Sequence, residues 1–366
     1  MKFTLSRETL LKPLQLVNGV VEKRQTMPIL SNILLQASPE SLTMTGTDLE
    51  VEMVTRIEMD NAESGEATLP ARKFVDICRA LPDDAHIKIK IDGDKAVIRS
   101  GKSRFSLSTL PVVEFPNVDE INNPFTFNIS QKLLKNLIDK TAFAMAQQDV
   151  RYYLNGMLFE MTDNTLRTVA TDGHRLSMSE VGTEYNPEDL LQVIVPRKAV
   201  MELSRMLEDS DSMVEVQIGT NHIKFTLGEV TFTSKLIDGK FPDYDRVFPK
   251  NSDKEVIANR NMLKQALART SILSNEKYRG IRLQLSSGTL HTMAHNPEQE
   301  EAEEELEVRY QGNELEVGFN ATYLLDALAA VDTEEVKVWL SDPNSSCLIQ
   351  GVDDEESKYV IMPMRL

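Results

Sequence analysis

Apolar residues along the chain keep two periods, and the two trade places in a fixed order. Phe3-Thr4-Leu5, Phe127-Asn128-Ile129 and Glu255-Val256-Ile257 read as short strands, each leading into a stretch with helical spacing. In the second such stretch the apolar face is Leu133, Leu134, Leu137, Ile138, Thr141 and Ala142. Ser6, Ser130 and Asn259 stand where an N-cap belongs, because a short side-chain oxygen there accepts from a free N–H of the first turn. Period-two runs follow, such as Ile33-Leu34-Leu35-Gln36 and Leu42-Thr43-Met44-Thr45. A shorter helix and further strands, such as Ile87-Lys88-Ile89-Lys90-Ile91, complete the set.

The set occurs three times. Leu10-Leu11-Lys12-Pro13-Leu14 returns as Leu133-Leu134-Lys135-Asn136-Leu137 and as Met262-Leu263-Lys264-Gln265-Ala266. Thr43-Met44-Thr45-Gly46-Thr47-Asp48 returns as Arg167-Thr168-Val169-Ala170-Thr171-Asp172 and as His291-Thr292-Met293-Ala294-His295-Asn296. A second helical block recurs from Leu69-Pro70, Val195-Pro196 and Phe319-Asn320, and Phe115-Pro116, Phe241-Pro242 and Met362-Pro363 close the units. These markers predict domains over residues 1–122, 123–251 and 252–366. Each is an α+β unit with two helices and about eight strands, the helices on one side of antiparallel sheet.

Composition narrows the class. The chain has 366 residues, 41% of them apolar, and a net charge of −17. That balance argues against a uniformly basic nucleic-acid coat and against a membrane-surface protein. Cys78 and Cys347 stand far apart, which excludes a disulfide framework and suits a reducing compartment. The N-terminus is charged within its first residues and no apolar run is long enough to span a bilayer, so a cytoplasmic protein is expected.

The charge is not spread evenly. Five of the six helical blocks carry a basic excess, from Arg7, Lys12 and Lys23 through Arg72 and Lys73 to Lys264 and Arg269; only the last, with Asp326, is acidic. Helices accept Glu as readily as Lys, so propensity alone does not explain this. The pattern suits helices that face a polyanion while the strands face solvent. A domain of roughly 120 residues has an equivalent diameter of about 35 Å. Three in contact leave a hole of about 5 Å, whereas six leave about one sphere diameter, wide enough for duplex DNA. A ring around DNA therefore requires two chains, joined head to tail.

Several strings resemble the bacterial DNA polymerase III beta subunits, the sliding clamps. They are Gln148-Asp149-Val150-Arg151-Tyr152-Tyr153-Leu154-Asn155-Gly156, Thr171-Asp172-Gly173-His174-Arg175-Leu176, Ser274-Asn275-Glu276-Lys277, the run Asn296 to Ala302, and Met362-Pro363-Met364-Arg365-Leu366. The likeness runs the length of the chain. It implies a head-to-tail homodimer forming a six-domain ring that encircles duplex DNA irrespective of sequence. It also implies no catalysis and no cofactor or metal. The partners it implies are the replicative polymerase alpha subunit, clamp-loader subunits, and other polymerases and repair proteins. These dock through a short peptide with a glutamine and a hydrophobic pair. In agreement, no GxxxxGK[ST] phosphate loop occurs.

By the same resemblance, Arg24, Arg72, Gln148, Tyr152 and Tyr153 contact DNA. The peptide pocket is formed by Leu154, Thr171, Gly173, His174, Arg175, Leu176, Pro242, Arg246, Val247, Asn320, Tyr323, Ser346, Val360, Met362, Pro363, Met364 and Arg365. The dimer interface sets Lys73, Arg99, Lys102, Arg104, Phe105 and Leu107 against Ile272, Leu273, Glu298, Glu300, Glu301, Glu303 and Glu304. Opposite charges at the two ends favour a head-to-tail joint.

A second function stands beside this one, a tandem-domain hydrolase centred on Asp172 and His174. The repeat weighs against it. Asp172 aligns with Asp48 and Asn296, so an Asx-capped turn accounts for it. His291 and His295 have zinc-helix spacing but lie in an alternating strand block.

Overall fold

Short polar side chains begin the helices as the sequence predicts. In a computed structural model describing residues 1–21, 27–116, 121–250 and 252–365, Ser6 Oγ accepts from the N–H of Thr9, and Asn259 from that of Met262. Arg24 and Leu366 lie outside the described residues.

The first third runs β1 (Lys2–Ser6), α1 (Arg7–Val20), β2 (Asn32–Ala37), β3 (Ser41–Thr47), β4 (Val51–Glu58) and β5 (Gly65–Pro70). It continues with α2 (Ala71–Ala80), β6 (His86–Asp92), β7 (Lys95–Ser100) and β8 (Ser103–Ser108). The order returns as β9 (Phe125–Ser130), α3 (Gln131–Asp139), β10 (Gly156–Thr162), β11 (Thr165–Thr171), β12 (Arg175–Gly182) and β13 (Leu191–Pro196). Next come α4 (Arg197–Met206), β14 (Met213–Ile218), β15 (His222–Leu227) and β16 (Val230–Lys235). The last third holds β17 (Lys254–Asn259), α5 (Arg260–Thr270), β18 (Gly280–Ser286), β19 (Thr289–His295), β20 (Glu301–Glu307) and β21 (Leu315–Asn320). It ends with α6 (Ala321–Ala330), β22 (Glu335–Leu340), β23 (Cys347–Gly351) and β24 (Ser357–Ile361).

One helix is shorter than its periodicity predicts. The apolar spacing carries α3 through Thr141 and Ala142, but α3 ends at Asp139 and Ala142–Ala144 form a separate 3-10 turn. Buried Thr141 donates its hydroxyl back to the Leu137 carbonyl at 2.6 Å, a local bond that competes with continuing the helix.

The chain packs as two compact units. One is Met1–Lys132 with Met201–Leu236; the other is Leu133–Val200 with Ile237–Leu366. Compactness follows the sheets, so the middle third contributes to both units. The first unit holds an antiparallel sheet of order β1-β6-β7-β8 and an eight-stranded sheet, β5-β2-β3-β4-β16-β15-β14-β9. The second holds β20-β19-β18-β21 and the eight-stranded β13-β10-β11-β12-β24-β23-β22-β17. Each long sheet is two four-stranded halves sewn together. β4 pairs with β16 through Val51↔Ser234 and Glu52↔Thr233, and β12 pairs with β24 through Arg175↔Ile361 and Leu176↔Val360.

Helices bury one face on the sheets. In α1 the buried residues are Leu10, Leu14, Val17 and Val20, the i, i+4, i+7 stripe of an amphipathic helix. The helix comes so close to β3 that a Cβ on Gly46 would sit 2.8 Å from the Val17 carbonyl oxygen. The repeat keeps this position small and buried, as Ala170 and Ala294. Among the described residues no helix is long and apolar enough to cross a membrane.

Candidate functional site

The second unit contains a cavity of about 160 Å³ at the β12·β24 junction. The loop feeding β12 shapes it. Asp172 accepts from the N–H groups of His174 and Arg175 at 2.9 and 3.1 Å, and Thr171 Oγ1 donates to the Arg175 carbonyl at 2.6 Å. This Asx turn is the one the repeat predicts. Gly173 takes φ +88°, and a Cβ there would meet the Arg151 guanidinium at 2.9 Å. Glycine here lets the loop and the arginine stack closely without backbone strain.

The cavity wall contains Leu154, Thr171, Gly173, Arg175, Leu176, Pro242, Val247, Val360 and Met362, all expected from the sequence. Tyr153, expected on DNA, also lines it, and Arg151 and Tyr244 complete it unforeseen. Arg151 is fixed by Asp149, whose carboxylate accepts from its Nε and Nη2 at 3.0 and 2.9 Å. Those hydrogen bonds hold the Asp149 carboxyl down to about 2.

Tyr244 stands over a buried polar network. Its hydroxyl donates to Glu160 at 2.6 Å, and Arg167 donates to both Tyr244 and Glu160 at 2.7 and 2.9 Å. Burial, then the bond to Glu160, pushes the Tyr244 phenol up. Burial opposes charge on Arg167, but its bonds to Tyr244 and Glu180 outweigh that and raise it. The signal for Tyr244 was present in the sequence, since it stands two residues after the Phe241-Pro242 marker.

Arg175 acts differently from a free recognition arginine. Its guanidinium is shared between Asp172 at 3.1 Å, Asp326 at 2.5 Å and the Phe143 carbonyl at 2.8 Å. It also lies over the Tyr323 ring at 4.5 Å. So Tyr323, and Asn320 as the N-cap of α6, belong to the support of the wall. Asp326, the acidic exception among the helical blocks, is explained by this bond.

The remaining expected pocket residues lie apart from the cavity itself. His174 is exposed, although its carbonyl accepts from the Met362 N–H at 2.9 Å. Arg246 pairs with Asp243 at 2.6 Å and is exposed. Pro363 and Ser346 are half-buried. Met364 bonds to Gly318 and, with Arg365, lines a second cavity of about 670 Å³ beside Tyr278, Arg282 and Met293.

Of the expected DNA residues, Arg72 is exposed on α2. Gln148 is exposed in a left-handed conformation, φ +56°, and Tyr152 is 61% exposed with its ring edge-on to Tyr153. The basic helical surface is partly neutralised. Lys12 pairs with Glu208, Lys132 with Asp209, Lys135 with Asp139 and Arg269 with Glu304. Lys140 is buried between Asp332 and Asp354 at 3.2 and 3.5 Å, so it faces no outside polyanion.

The expected interface residues fall on two edge strands and their flanks. Lys73, Arg99, Lys102 and Arg104 are exposed, and Phe105 and Leu107 half-buried on β8. Ile272 is 72% exposed and Leu273 half-buried, while Glu298, Glu300, Glu301 and Glu303 are exposed on or beside β20. Glu304 points the other way, to Arg269.

Asp172 and His174 bring no catalytic constellation. The Asp172 carboxylate is spent on the turn and on Arg175. Among the described residues no group of three His, Cys, Asp or Glu could hold a metal ion.

Comparison with known proteins bears on the whole chain. Family models for the N-terminal, central and C-terminal domains of the DNA polymerase III beta subunit match residues 1–119, 128–243 and 245–365. The beta sliding clamp of Pseudomonas putida is 58% identical and that of Escherichia coli K12 53%, each over the full length of both chains. The crystal structure of the Pseudomonas aeruginosa DNA polymerase III subunit beta superposes with a TM-score of 0.98 at 57% identity, covering both chains completely. A sliding clamp of the same species bound to griselimycin gives 0.97, again with full coverage of both chains and 57% identity.

Proposed function

Since the chain belongs to the DNA polymerase III beta subunit family, the beta sliding clamps, we propose that two copies close head to tail into a six-domain ring around duplex DNA. The protein is a non-catalytic processivity factor of DNA replication. In the ring, each copy supplies domains 1–122, 123–251 and 252–366, and works in the cytoplasm. Sliding requires phosphate contacts without base contacts, for which Arg24, Arg72, Gln148 and Tyr152 are the candidates.

One observation carries the ring. Within the chain, four-stranded halves are joined by strands twelve places apart in order, β4 to β16 and β12 to β24. The two four-stranded sheets have β8 and β20 among their four edges, with β1 and β21 the others, and β8 and β20 are again twelve apart. An open strand edge is a template for another strand. β8 of one copy therefore pairs with β20 of the next, forming further eight-stranded sheets. Arg99, Lys102 and Arg104 then meet Glu301 and Glu303, and Phe105 and Leu107 cover Ile272 and Leu273.

The β12·β24 cavity is the docking pocket for the partner peptides of the polymerase alpha subunit, the clamp loader and repair proteins. Its wall is apolar, with Met362 adaptable and the Thr171 and Arg151 polar groups fixing register. A related clamp carries griselimycin.

Topology tests the ring. The protein should have twice the mass of a 41.3 kDa chain. Once placed on closed circular DNA by a clamp loader, it should survive high salt and be lost when that DNA is cut. A monomer, or equal loss from circular and cut DNA, overturns the reading.

A further inference from the structure

The solvent face of the β1-β6-β7-β8 sheet carries a charge that the ring and the pocket leave mostly unused. Residues directly opposite each other on neighbouring strands point to the same side. Thr4, Lys88, Arg99 and Arg104 are aligned in this way, with Lys2 and Lys90 aligned beside them. Lys95 shares the side, opposite Asp92. The alternate residues, among them Phe3, Leu5, Ile87, Ile89 and Ile98, are buried on the other side.

Lys88, Lys90, Lys95, Arg99 and Arg104 are exposed. Among the described residues, the ion pair on this face is that of Lys2 with Glu63 at 3.0 Å. Like charges set directly opposite each other destabilise a sheet. Here Lys88 and Arg104 both oppose Arg99, while Lys2 opposes Lys90 with the Glu63 carboxylate beside them. In a chain of net charge −17 such a concentration is out of character, and a polyanion laid across it relieves the repulsion. Arg99 and Arg104 belong to the proposed interface edge; Lys88, Lys90 and Lys2 lie farther in, on β6 and β1.

The form of the face selects the polyanion. Thr4, Val97 and Ser106 separate the cations, and among the described residues of this face the one ring is the exposed His86 imidazole at its edge, so contact rests on phosphates rather than on base stacking. A rigid duplex is convex and touches a broad plate along one ridge. A flexible single strand can lay successive phosphates across several strands of the sheet. Replication exposes such strands beside the polymerase. We propose that this face docks single-stranded DNA through its phosphates, without base preference. The proposal rests on the protein's place in replication but not on the ring or the peptide pocket.

The test uses the full-length protein and a fluorescent oligothymidylate, with anisotropy read between about 50 and 200 mM salt. Wild type should bind with a steep salt dependence. Lys88→Gln/Lys90→Gln should weaken binding about tenfold at low salt and reduce the log–log salt slope by about 1.4, the share of two phosphate contacts. Its mass in solution and its affinity for a partner peptide should stay unchanged. If the double variant misfolds, Lys90→Gln alone should give about half the slope change. Unchanged oligonucleotide affinity and slope would overturn the proposal. So would tighter binding of polyglutamate than of oligothymidylate, which would make the face a site for acidic peptides.

Discussion

The β4·β16 and β12·β24 junctions occupy the same place in the repeat and share one backbone, yet the second opens into the pocket lined by polar and apolar anchors. In both, an aspartate caps the turn. Asp48 accepts from Glu50 and Val51 as Asp172 does from His174 and Arg175. Thr47 donates to the Val51 carbonyl as Thr171 does to that of Arg175. Lys235 N–H meets the Glu50 carbonyl as Met362 N–H meets that of His174. The side chains diverge where the pocket needs them. Leu49 replaces Gly173, Val51 replaces Arg175, and Glu52, Thr233 and Lys235 replace Leu176, Val360 and Met362. A duplicated scaffold thus supplies the geometry twice, and a handful of side chains decide what each copy can hold.

The largest effect should come from Arg175, which has no counterpart at the first junction. Arg175→Met leaves Asp172 and Asp326 facing each other without the shared cation, and both are at least partly sheltered. Removing one member of a buried ion network is costly, here about 3–4 kcal/mol with the exposure of Asp326 discounted. Denaturant unfolding should show that loss, while Val51→Met at the equivalent, buried position should cost only the overpacking of a larger side chain, about 1–2 kcal/mol. Equal effects at the two sites would mean that Arg175 is not the bolt of its junction.

Glu52 separates the junctions by pH. Burial raises its carboxyl from the usual carboxylate range to about 7. The folded protein then holds a proton that the unfolded chain releases near pH 4.5. The favourable contribution is present below that point and is lost as pH rises through about 7. Glu52→Gln, which stays neutral, should be more stable than wild type by about 2–3 kcal/mol at pH 8 and nearly equal at pH 4.5. Thermal unfolding of both proteins at the two pH values checks this; a constant difference would place the Glu52 carboxylate in water.

The legibility of these features follows the range of the forces behind them. Strand and helix periods, the caps at Ser6 and Asn259 and the Asx turn at Asp172 are local, and each stands in the sequence where the fold has it, except at the end of α3, where the Thr141 side chain overrides the period. Most of the pocket wall was legible through its motif strings. Lys140 was not, because its partners Asp332 and Asp354 are far away in the chain and leave no spacing signal. By block charge alone it counts as one more cation of the basic helical segments. Tyr153 beside Tyr152 shows the same limit: the two share a sequence context, and only packing sends one ring into the cavity wall and leaves the other exposed. The joining of sheets at β4·β16 and β12·β24 was equally silent, since an edge strand carries no mark of which distant edge it meets.

The smallest effect tests whether the turn residue or its surroundings make the pocket. Leu49 holds φ +79° and Gly173 φ +88°, so the first junction already bears the strain that glycine avoids at the second. Leu49→Gly should relieve it, shifting stability by less than about 1 kcal/mol once the looser unfolded chain is counted. Gly173→Leu should cost about 1 kcal/mol in stability and displace the Arg151 guanidinium from its place over the loop. With that wall moved, affinity for a partner peptide carrying the glutamine and hydrophobic pair should fall about tenfold in Gly173→Leu, near 1.4 kcal/mol, and stay unchanged in Leu49→Gly. Retained affinity in Gly173→Leu would show that Arg151 contributes nothing to the pocket, leaving Arg175 and the apolar trio of Leu176, Val360 and Met362 as the differences that matter between the two junctions.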